Sequence, residues 1–411
     1  MSDPISGSLV YQLLKDSYNL AKRFRETRHR DRAQTKILLA QTALQNPHLY
    51  EYLQWKYAAE PILNRCGKFY PVAIYPAPEA LYMKPDAVLL NLDPYIKTDK
   101  LKTKNETFRK ITQAAGRPLK DRFTFTMKEI CIEPTFGLYC QLGKYFQALD
   151  TCDSLEWELL SNSHKLRGSA ASYYTRFEKY LPLRTKLHSL DTQPLRSGQH
   201  RSAAIGICTL VAFNYRDSIC LWVKKRSPTG VAVYAGYYDT VPSFMFQPAT
   251  SYLDDEFSVT HNIYREYLEE IFDRPEPEEK EDDSHYFYGD MRLTFLLELI
   301  KRNKAQVFLT GIAVDLLNLR PEICTLLLIR TPDWHEFHSS NPEHGQRFHL
   351  NIEYETLNAL SFSSSEPGIA RVHFAQTDDE MNEVKQFSNT KIVPSGAAAF
   401  WLGVDVLRKV L

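Results

Sequence analysis

The chain has 411 residues, of which 44% are hydrophobic and 24% are charged, a balance that excludes a collagen-like, coiled-coil or wholly disordered protein. Fifty Lys and Arg balance fifty Asp and Glu, so the chain has no overall electrostatic attraction to nucleic acid or to an anionic membrane. The seven cysteines are scattered and include no CxxC pair, which predicts neither a disulfide framework nor a zinc site. No apolar run reaches the roughly 18 residues of a membrane span, and we expect a cytoplasmic protein without a membrane partner.

Residues 1–195 are predicted to form a mainly helical domain, whose role the sequence does not indicate. Apolar residues recur at three-to-four spacing from Ser8 to about Cys66, which is typical of packed helices. A basic run within it, from Lys22 to Lys36, is interrupted by Glu26 and Asp31 and carries no helix-turn-helix signature. This pattern favours a solvated helix face and argues against a nucleic-acid partner.

The boundary of this first domain is predicted near residue 195. Tyr173–Leu190 reads as helical up to Pro182, and the polar segment Asp191–His200 resembles a linker. Further back, Ala87–Leu92 predicts a short buried strand after a proline-rich stretch.

Residues 196–411 are predicted to form an α+β domain with a mixed sheet. Strands are expected at 203–213, 218–225, 230–238, 306–314 and 323–329, and helices at 258–272, 291–301 and 397–410. Strands that flank a few helices in this order indicate a sheet covered by helices.

The helix predicted at 258–272 carries the only concentration of chemistry in the sequence. It contains Arg265, Glu266, Glu269 and Glu270, and at 100° per residue the three carboxylates fall on one side. Like charges at i,i+4 cost a helix roughly 0.2–0.5 kcal/mol unless a cation offsets them. Hard oxygen ligands suit Mg²⁺ or Mn²⁺, and Mg²⁺ is usually held by a few carboxylates together with substrate phosphates. The cluster therefore points to phosphate-ester or pyrophosphate chemistry.

Read as RExxEE, Arg265 to Glu270 resembles the second half of the Nudix box, the helix signature of hydrolases that act on nucleoside diphosphates linked to another group. The resemblance spans approximately residues 200–330 and implies a Nudix-like mixed-sheet α/β/α sandwich. It also implies Mg²⁺-dependent (or Mn²⁺-dependent) hydrolysis of a nucleotide-derived pyrophosphate substrate. Glu266, Glu269 and Glu270 would then hold the metal, one of them could act as the base, and Arg265 would orient a glutamate. Glu256 would be a further metal ligand.

Three departures from the box leave a second function open. Pro242-Ser243-Phe244 stands where the family has Pro-Gly-Gly, Phe257 stands at the upstream glutamate position beside Glu256, and Phe272 stands at the final glycine. Together they could describe a catalytically inactive domain that senses a nucleotide. A plainer alternative is an Arg265–Glu269 pair on an ordinary exposed helix. The oligomeric state is not indicated by the sequence.

Two other groups of residues favour structural roles. His335 and His338 bracket Glu336 in a polar segment that reads as an exposed loop, which we favour over a metal site. Cys208 and Cys220 lie on predicted strands and read as small buried residues.

Overall fold

A computed structural model describes residues 27–28, 30–32, 34–36, 42–95, 108–114, 119–226, 234, 236–275, 283–340, 369–378 and 391–411, with the backbone alone for 339–340 and 369–373. Over this part of the chain the fold is mixed α+β, which confirms the predicted class at that level. Residues 22–26, 29 and 33 of the basic run from Lys22 to Lys36 lie outside the described residues.

The strands fall into two sheets. In chain order they are β1 Ile62–Arg65, β2 Lys68–Pro76, β3 Leu89–Asp93, β4 Phe123–Cys131, β5 Gly137–Lys144, β6 Ala203–Ala204, β7 Gly206–Tyr215, β8 Ser218–Lys225, β9 Tyr238–Thr240, β10 Ser243–Met245, β11 Ala305–Asp315, β12 Pro321–Ile329 and β13 Ile369–His373. The helices are α1 Pro47–Lys56, α2 Phe108–Ala114, α3 Tyr145–Ala148, α4 Ser154–Asn162, α5 Ala171–Phe177, α6 Pro182–Leu190, α7 Leu253–Glu256, α8 Val259–Phe272, α9 Met291–Lys301, α10 Asp333–Ser340 and α11 Pro394–Val410. A π-helical turn, Leu149–Asp153, joins α3 to α4.

The larger sheet has the order β1-β2-β11-β12-β7-β8-β13, with β10 also beside β7 and β9 also beside β8. β12 and β7 are parallel, and the other pairs in this sheet are antiparallel. The smaller sheet has the order β3-β5-β4-β6. Both sheets combine strands from either side of residue 195, and β1 to β5 all precede that residue. The predicted division into two domains stays a prediction.

Helices cover both faces of the larger sheet. Gly403 of α11 packs so closely on one face that a Cβ atom there would lie 2.7 Å from Cδ2 of Leu210 on β7. Phe213 lies three residues further along the same strand and therefore points to the opposite face. There its ring lies 5.3 Å from that of Trp334 on α10, and the Trp334 indole donates a 2.8 Å hydrogen bond to the hydroxyl of Tyr267 on α8. The sheet is therefore held between α11 and the pair α8 and α10.

Helix α8 is fixed at both ends by local chemistry. Its N-cap is Ser258, whose hydroxyl accepts the backbone N–H of His261 at 3.1 Å. Asp86 adds a second cap from outside, because its carboxylate accepts the backbone N–H and the hydroxyl of Thr260 at 3.0 and 2.7 Å. The helix ends at Asp273, which has a left-handed φ of 52°. The predicted helix at 258–272 is confirmed, with Ser258 as its cap.

The helical pattern predicted from Ser8 to about Cys66 is wrong at its end, because α1 stops at Lys56 and strand β1 follows at Ile62–Arg65. The helical segment expected up to Pro182 does end before this proline, at Tyr180. Pro182 then begins a second helix, α6, where its missing N–H costs nothing. None of the helices in the described part of the chain has the length and apolar character needed to cross a membrane.

Candidate functional site

A cavity of about 540 Å³ lies where the smaller sheet meets α8, within the size range of roughly 300–1,000 Å³ of small-molecule sites. One wall comes from the start of β4 and from β5, a second from the segment 247–251, and the third from α8. The charged side chains of this lining are Asp121, Arg122, Arg265, Glu266 and Glu269. Two of the four predicted carboxylates, Glu266 and Glu269, therefore line the cavity together with Arg265.

Arg265 is the centre of the carboxylate cluster. Its Nη1 lies 2.9 Å from Oε2 of Glu256, its Nη2 lies 3.2 Å from Oε1 of Glu266, and its Nε lies 3.6 Å from Oε1 of Glu269. Burial alone would lower the pKa of this guanidinium, but the three carboxylates together raise the pKa above its ordinary value. The predicted Arg265–Glu269 pair is present, yet it lies on a buried face, so the exposed-helix alternative is wrong.

Glu256 is held as a structural acid behind the cavity. Its Oε1 accepts the backbone N–H and the hydroxyl of Thr250 at 3.0 and 2.9 Å, and its Oε2 accepts from Arg265. Its side chain is 1% exposed. Both oxygens of Glu256 are thus engaged by protein donors, and they fix the segment 247–251 against α8.

Glu270 is not part of the cavity lining and bonds to a lysine instead. Its Oε2 accepts from the Lys224 ammonium on β8 at 2.6 Å and from the backbone N–H of Ser243 at 2.9 Å. The Lys224 side chain is 0% exposed and that of Glu270 is 4% exposed. Burial raises the pKa of Glu270, while the Lys224 charge and the two hydrogen bonds act in the opposite direction.

Ser243 stands where the Nudix box has a glycine, and its backbone N–H donates a hydrogen bond to Glu270. Besides its N–H bond to Glu270, its hydroxyl lies 3.2 Å from the thiol of Cys208, the residue opposite it in the β10–β7 pair. The Cys208 Sγ lies 3.6 Å from Oε2 of Glu322 on β12. Burial raises the pKa of Glu322 to about 8. A buried polar network therefore runs from Lys224 across the sheet to Glu322.

The four carboxylates do not fit a single cation held by all of them. Glu256 and Glu270 are engaged by a guanidinium and an ammonium, and only Glu266 and Glu269 face the cavity. Over the described ranges, no three Asp, Glu, His or Cys side chains form a group that could hold a metal ion. The site is therefore a cavity lined by acidic side chains and by arginines.

Lys224 and Arg122 are site residues that no motif in the sequence indicates. A signal for Lys224 exists, because Cys220, Trp222 and Lys224 alternate along β8 and therefore share one face. Trp222 on that face packs against Trp334 of α10, so Lys224 has to point toward the helices. Arg122 carries no such signal, since it precedes a strand of the other sheet.

His335 and His338 are packing residues of α10, so the exposed-loop expectation is wrong over 333–340. The His335 ring lies parallel to that of Phe213, with centroids 5.7 Å apart, and His338 is fully buried beside Trp334. His344 and His349 lie outside the described residues.

The comparisons with known proteins add no assignment to this geometry. The sequence matches no known family profile and no curated protein at a significant level. The chemistry of the cavity and the RExxEE pattern are therefore what a functional proposal has to rest on.

Proposed function

We propose that the chain contains a Nudix-like domain that binds a nucleotide-derived pyrophosphate in the cavity beside α8 and does not hydrolyse it. The observation that carries this proposal is the contact of 2.6 Å between Lys224 and Glu270. A lysine already neutralises the third box carboxylate, whereas Glu266 and Glu269 remain at the cavity. The site thus has the features of a binding site. It lacks the complete set of three glutamates that the resemblance assigns to the metal ion of a hydrolase.

The lining matches the three chemical parts of a nucleotide. Arg122 carries a guanidinium group, which can pair with phosphate oxygens in a bidentate manner. The Phe123 ring is 44% exposed at the cavity, and an exposed ring of this kind can stack on a nucleobase. The carboxylates of Glu266 and Glu269 can accept hydrogen bonds from ribose hydroxyls.

The surroundings of α8 also support a Nudix-like assignment. The RExxEE segment lies on a helix that follows a strand and a loop and packs on a mixed sheet, and α11 covers the opposite face. Arg265 contacts Glu266 and Glu269, which is the orienting role that the resemblance implies for it. These features make the proposal specific to this part of the chain.

Magnesium-dependent hydrolysis of the same class of ligand is the competing proposal. It is favoured by one observation, the presence of Glu266 and Glu269 side by side at the cavity. Mg²⁺ is often held by one or two carboxylates together with substrate phosphates, so two acids could suffice when the substrate is bound.

Calorimetry combined with product analysis separates the two proposals. ADP-ribose, NAD and UDP-glucose are titrated into the protein with Mg²⁺ and, separately, with EDTA, and each mixture is then analysed for nucleoside monophosphate. We expect at least one of them to bind under both conditions without product after prolonged incubation. Product that requires Mg²⁺ and disappears in Glu269→Gln would select hydrolysis, and absence of binding by all three would contradict both proposals.

A further inference from the structure

We infer that a basic, aromatic surface formed by residues 163–190 binds a single-stranded polynucleotide. The segment runs from the 3₁₀ turn Ser163–Lys165 through α5 and the 3₁₀ turn Glu178–Tyr180 to the end of α6. It shares no residue with the cavity beside α8, so the inference does not depend on the proposed function. It is also separate in sequence from the basic run Lys22–Lys36, for which the pattern favours a solvated helix face.

The segment concentrates positive charge in a chain that is neutral overall. It contains six Lys and Arg residues and a single acid, Glu178. Five of the six cations are exposed, namely Lys165, Arg167, Arg176, Lys179 and Lys186. None of these five forms an ion pair with another described residue, whereas Glu178 is already paired with Lys56. A solvated protein surface usually mixes both signs of charge, so this uncompensated excess indicates an anionic partner.

Two exposed tyrosine rings lie among these cations. Tyr173 is 46% exposed and Tyr180 is 36% exposed. The guanidinium carbon of Arg176 lies 4.9 Å from the ring centroid of Tyr173. The ammonium groups of Lys165 and Lys179 lie 4.3 and 4.9 Å from the ring centroid of Tyr180. Each exposed ring therefore has a cation beside it that can pair with a phosphate.

The two rings lie on the same face of one helical segment. Tyr173, Arg176 and Tyr180 stand at positions i, i+3 and i+7, which share a helix face. Seven helical residues rise by roughly 10 Å, which corresponds to about three steps of a stacked nucleotide strand at ~3.4 Å each. Each ring can therefore contact a different base of the same strand.

The combination of rings and cations distinguishes a single strand from other anionic partners. The bases of a single strand stack on aromatic rings while its phosphates pair with Lys and Arg. An acidic peptide offers charge without bases, and the bases of a duplex are already stacked on one another. An exposed cation–π contact is weak, so a lysine can leave the tyrosine ring and bind a phosphate instead.

Fluorescence anisotropy of a labelled oligothymidylate, measured with the whole chain, tests the inference. The matched probe is an abasic oligonucleotide of the same length, which keeps the phosphates and lacks the bases. We expect wild type to bind the oligothymidylate at least about tenfold more tightly than the abasic chain, because stacking on two rings adds to the phosphate contacts. The affinity for both probes should fall more than about tenfold between about 50 and about 200 mM NaCl.

Two pairs of variants locate the binding surface. Tyr173→Ala should bind the oligothymidylate about fivefold more weakly and the abasic chain unchanged, because it removes one stacking ring. Its control is Tyr139→Ala, at an exposed tyrosine of β5, which should behave like wild type. Lys179→Glu should weaken the binding of both probes about fivefold or more, because it reverses a charge that contacts phosphate. Its control is Lys301→Glu, at an exposed lysine in the last turn of α9.

The results that would overturn the inference include two that need no variant. Equal affinity of wild type for the two probes, or no binding of either at about 50 mM NaCl, would exclude a surface that reads bases and phosphates together. Displacement of the oligothymidylate by polyglutamate at an equal concentration of charges would assign the surface to an acidic protein partner instead. An effect of Tyr139→Ala or Lys301→Glu as large as that of its counterpart would place the binding elsewhere, and circular dichroism checks that each variant is folded.

Discussion

Arg265 and Glu256 form a buried ion pair, with 2.9 Å between Nη1 and Oε2, that ties the short helix α7 to α8 across nine residues of sequence. Glu256 simultaneously receives two hydrogen bonds from Thr250. The carboxylate of Glu256 thus holds the cavity wall formed by residues 247–251 against α8, the helix that carries Glu266 and Glu269. The shape of the cavity depends on this pair.

Replacement of Glu256 by Gln is expected to lower the free energy of unfolding by roughly 3–5 kcal/mol, because it leaves a buried guanidinium undercompensated. Urea unfolding followed by circular dichroism measures the change. The matched control is Glu298→Gln, since Glu298 pairs with Arg302 at 3.4 Å on an exposed helix face. Such a pair contributes about 1 kcal/mol or less, and equal losses in the two variants would contradict the structural role of Glu256.

Asp86 is expected to stabilise α8 from outside the helix. Its carboxylate accepts from the Ser258 hydroxyl at 3.0 Å and from the backbone and side chain of Thr260. Replacement by Ala should cost about 1–2 kcal/mol in the same unfolding experiment, because it removes a cap and an anion at a helix N-terminus. Asp254→Ala, at an exposed position of α7, is the control, and a loss of similar size there would argue against capping.

Arg122 and Phe123 are expected to determine ligand affinity although they belong to the smaller sheet. In calorimetry with the ligand that binds wild type best, Arg122→Gln should weaken binding about tenfold or more, since a charge-assisted hydrogen bond contributes roughly 1.5–3 kcal/mol. Phe123→Leu should weaken the binding of nucleotides and leave the binding of ribose 5-phosphate unchanged, because only a nucleobase can stack on the ring. Lys120→Gln, at an exposed neighbouring position, is the control. Wild-type affinity in both cavity variants would place the ligand elsewhere.

The stability of the fold is expected to fall as the pH rises from about 5 to about 8. Burial raises the pKa of Glu156 to about 8, of Asp315 to about 7 and of Glu322 to about 8, so these groups keep their protons in the folded chain after the unfolded chain has lost them. The unfolded state then binds fewer protons than the folded state, so the free energy of unfolding declines as the pH rises over this interval. At a pH below the pKa values that these groups have in the unfolded chain, they cause no decline in the free energy of unfolding. Above about pH 8 the decline is complete.

Urea unfolding between pH 5 and pH 8.5 measures this decline, and Glu322→Gln should make it shallower because one of the titrating groups is removed. Glu298→Gln is again the exposed control, with an unchanged slope expected. A free energy of unfolding that rises over the same interval, or an unaltered slope in Glu322→Gln, would show that these acids are ionised in the folded chain.

Local sequence patterns predicted several elements to the residue. Strand β8 and helix α9 have the predicted bounds, because alternation along Ser218–Lys225 and helical spacing along Met291–Lys301 are each decided by neighbours in sequence. The predicted strand 203–213 is divided instead. Ala203–Ala204 joins the smaller sheet, whereas Gly206–Tyr215 belongs to the larger one. The apolar stretch runs from one sheet into the other without a change in its sequence pattern, so the sequence does not show where the first strand ends.

Contacts between residues far apart in the sequence could not be predicted from local patterns. Strand β2 pairs with β11, as in Ala73 opposite Val314, although about 240 residues separate them. The Lys224–Glu270 contact likewise joins a strand to a helix 46 residues later. The RExxEE pattern drew attention to the acids of α8, yet the sequence could not reveal which of them face a cavity and which of them faces a lysine.

Isothermal titration of ADP-ribose, NAD and UDP-glucose in EDTA, with chromatography of the same samples after Mg²⁺ is added, distinguishes binding from hydrolysis. We expect at least one of these ligands to bind with the same affinity before and after Mg²⁺ is added, to bind more weakly to Arg122→Gln, and to be recovered intact. Binding that needs Mg²⁺, accompanied by release of nucleoside monophosphate that Glu269→Gln abolishes, would contradict the proposed function.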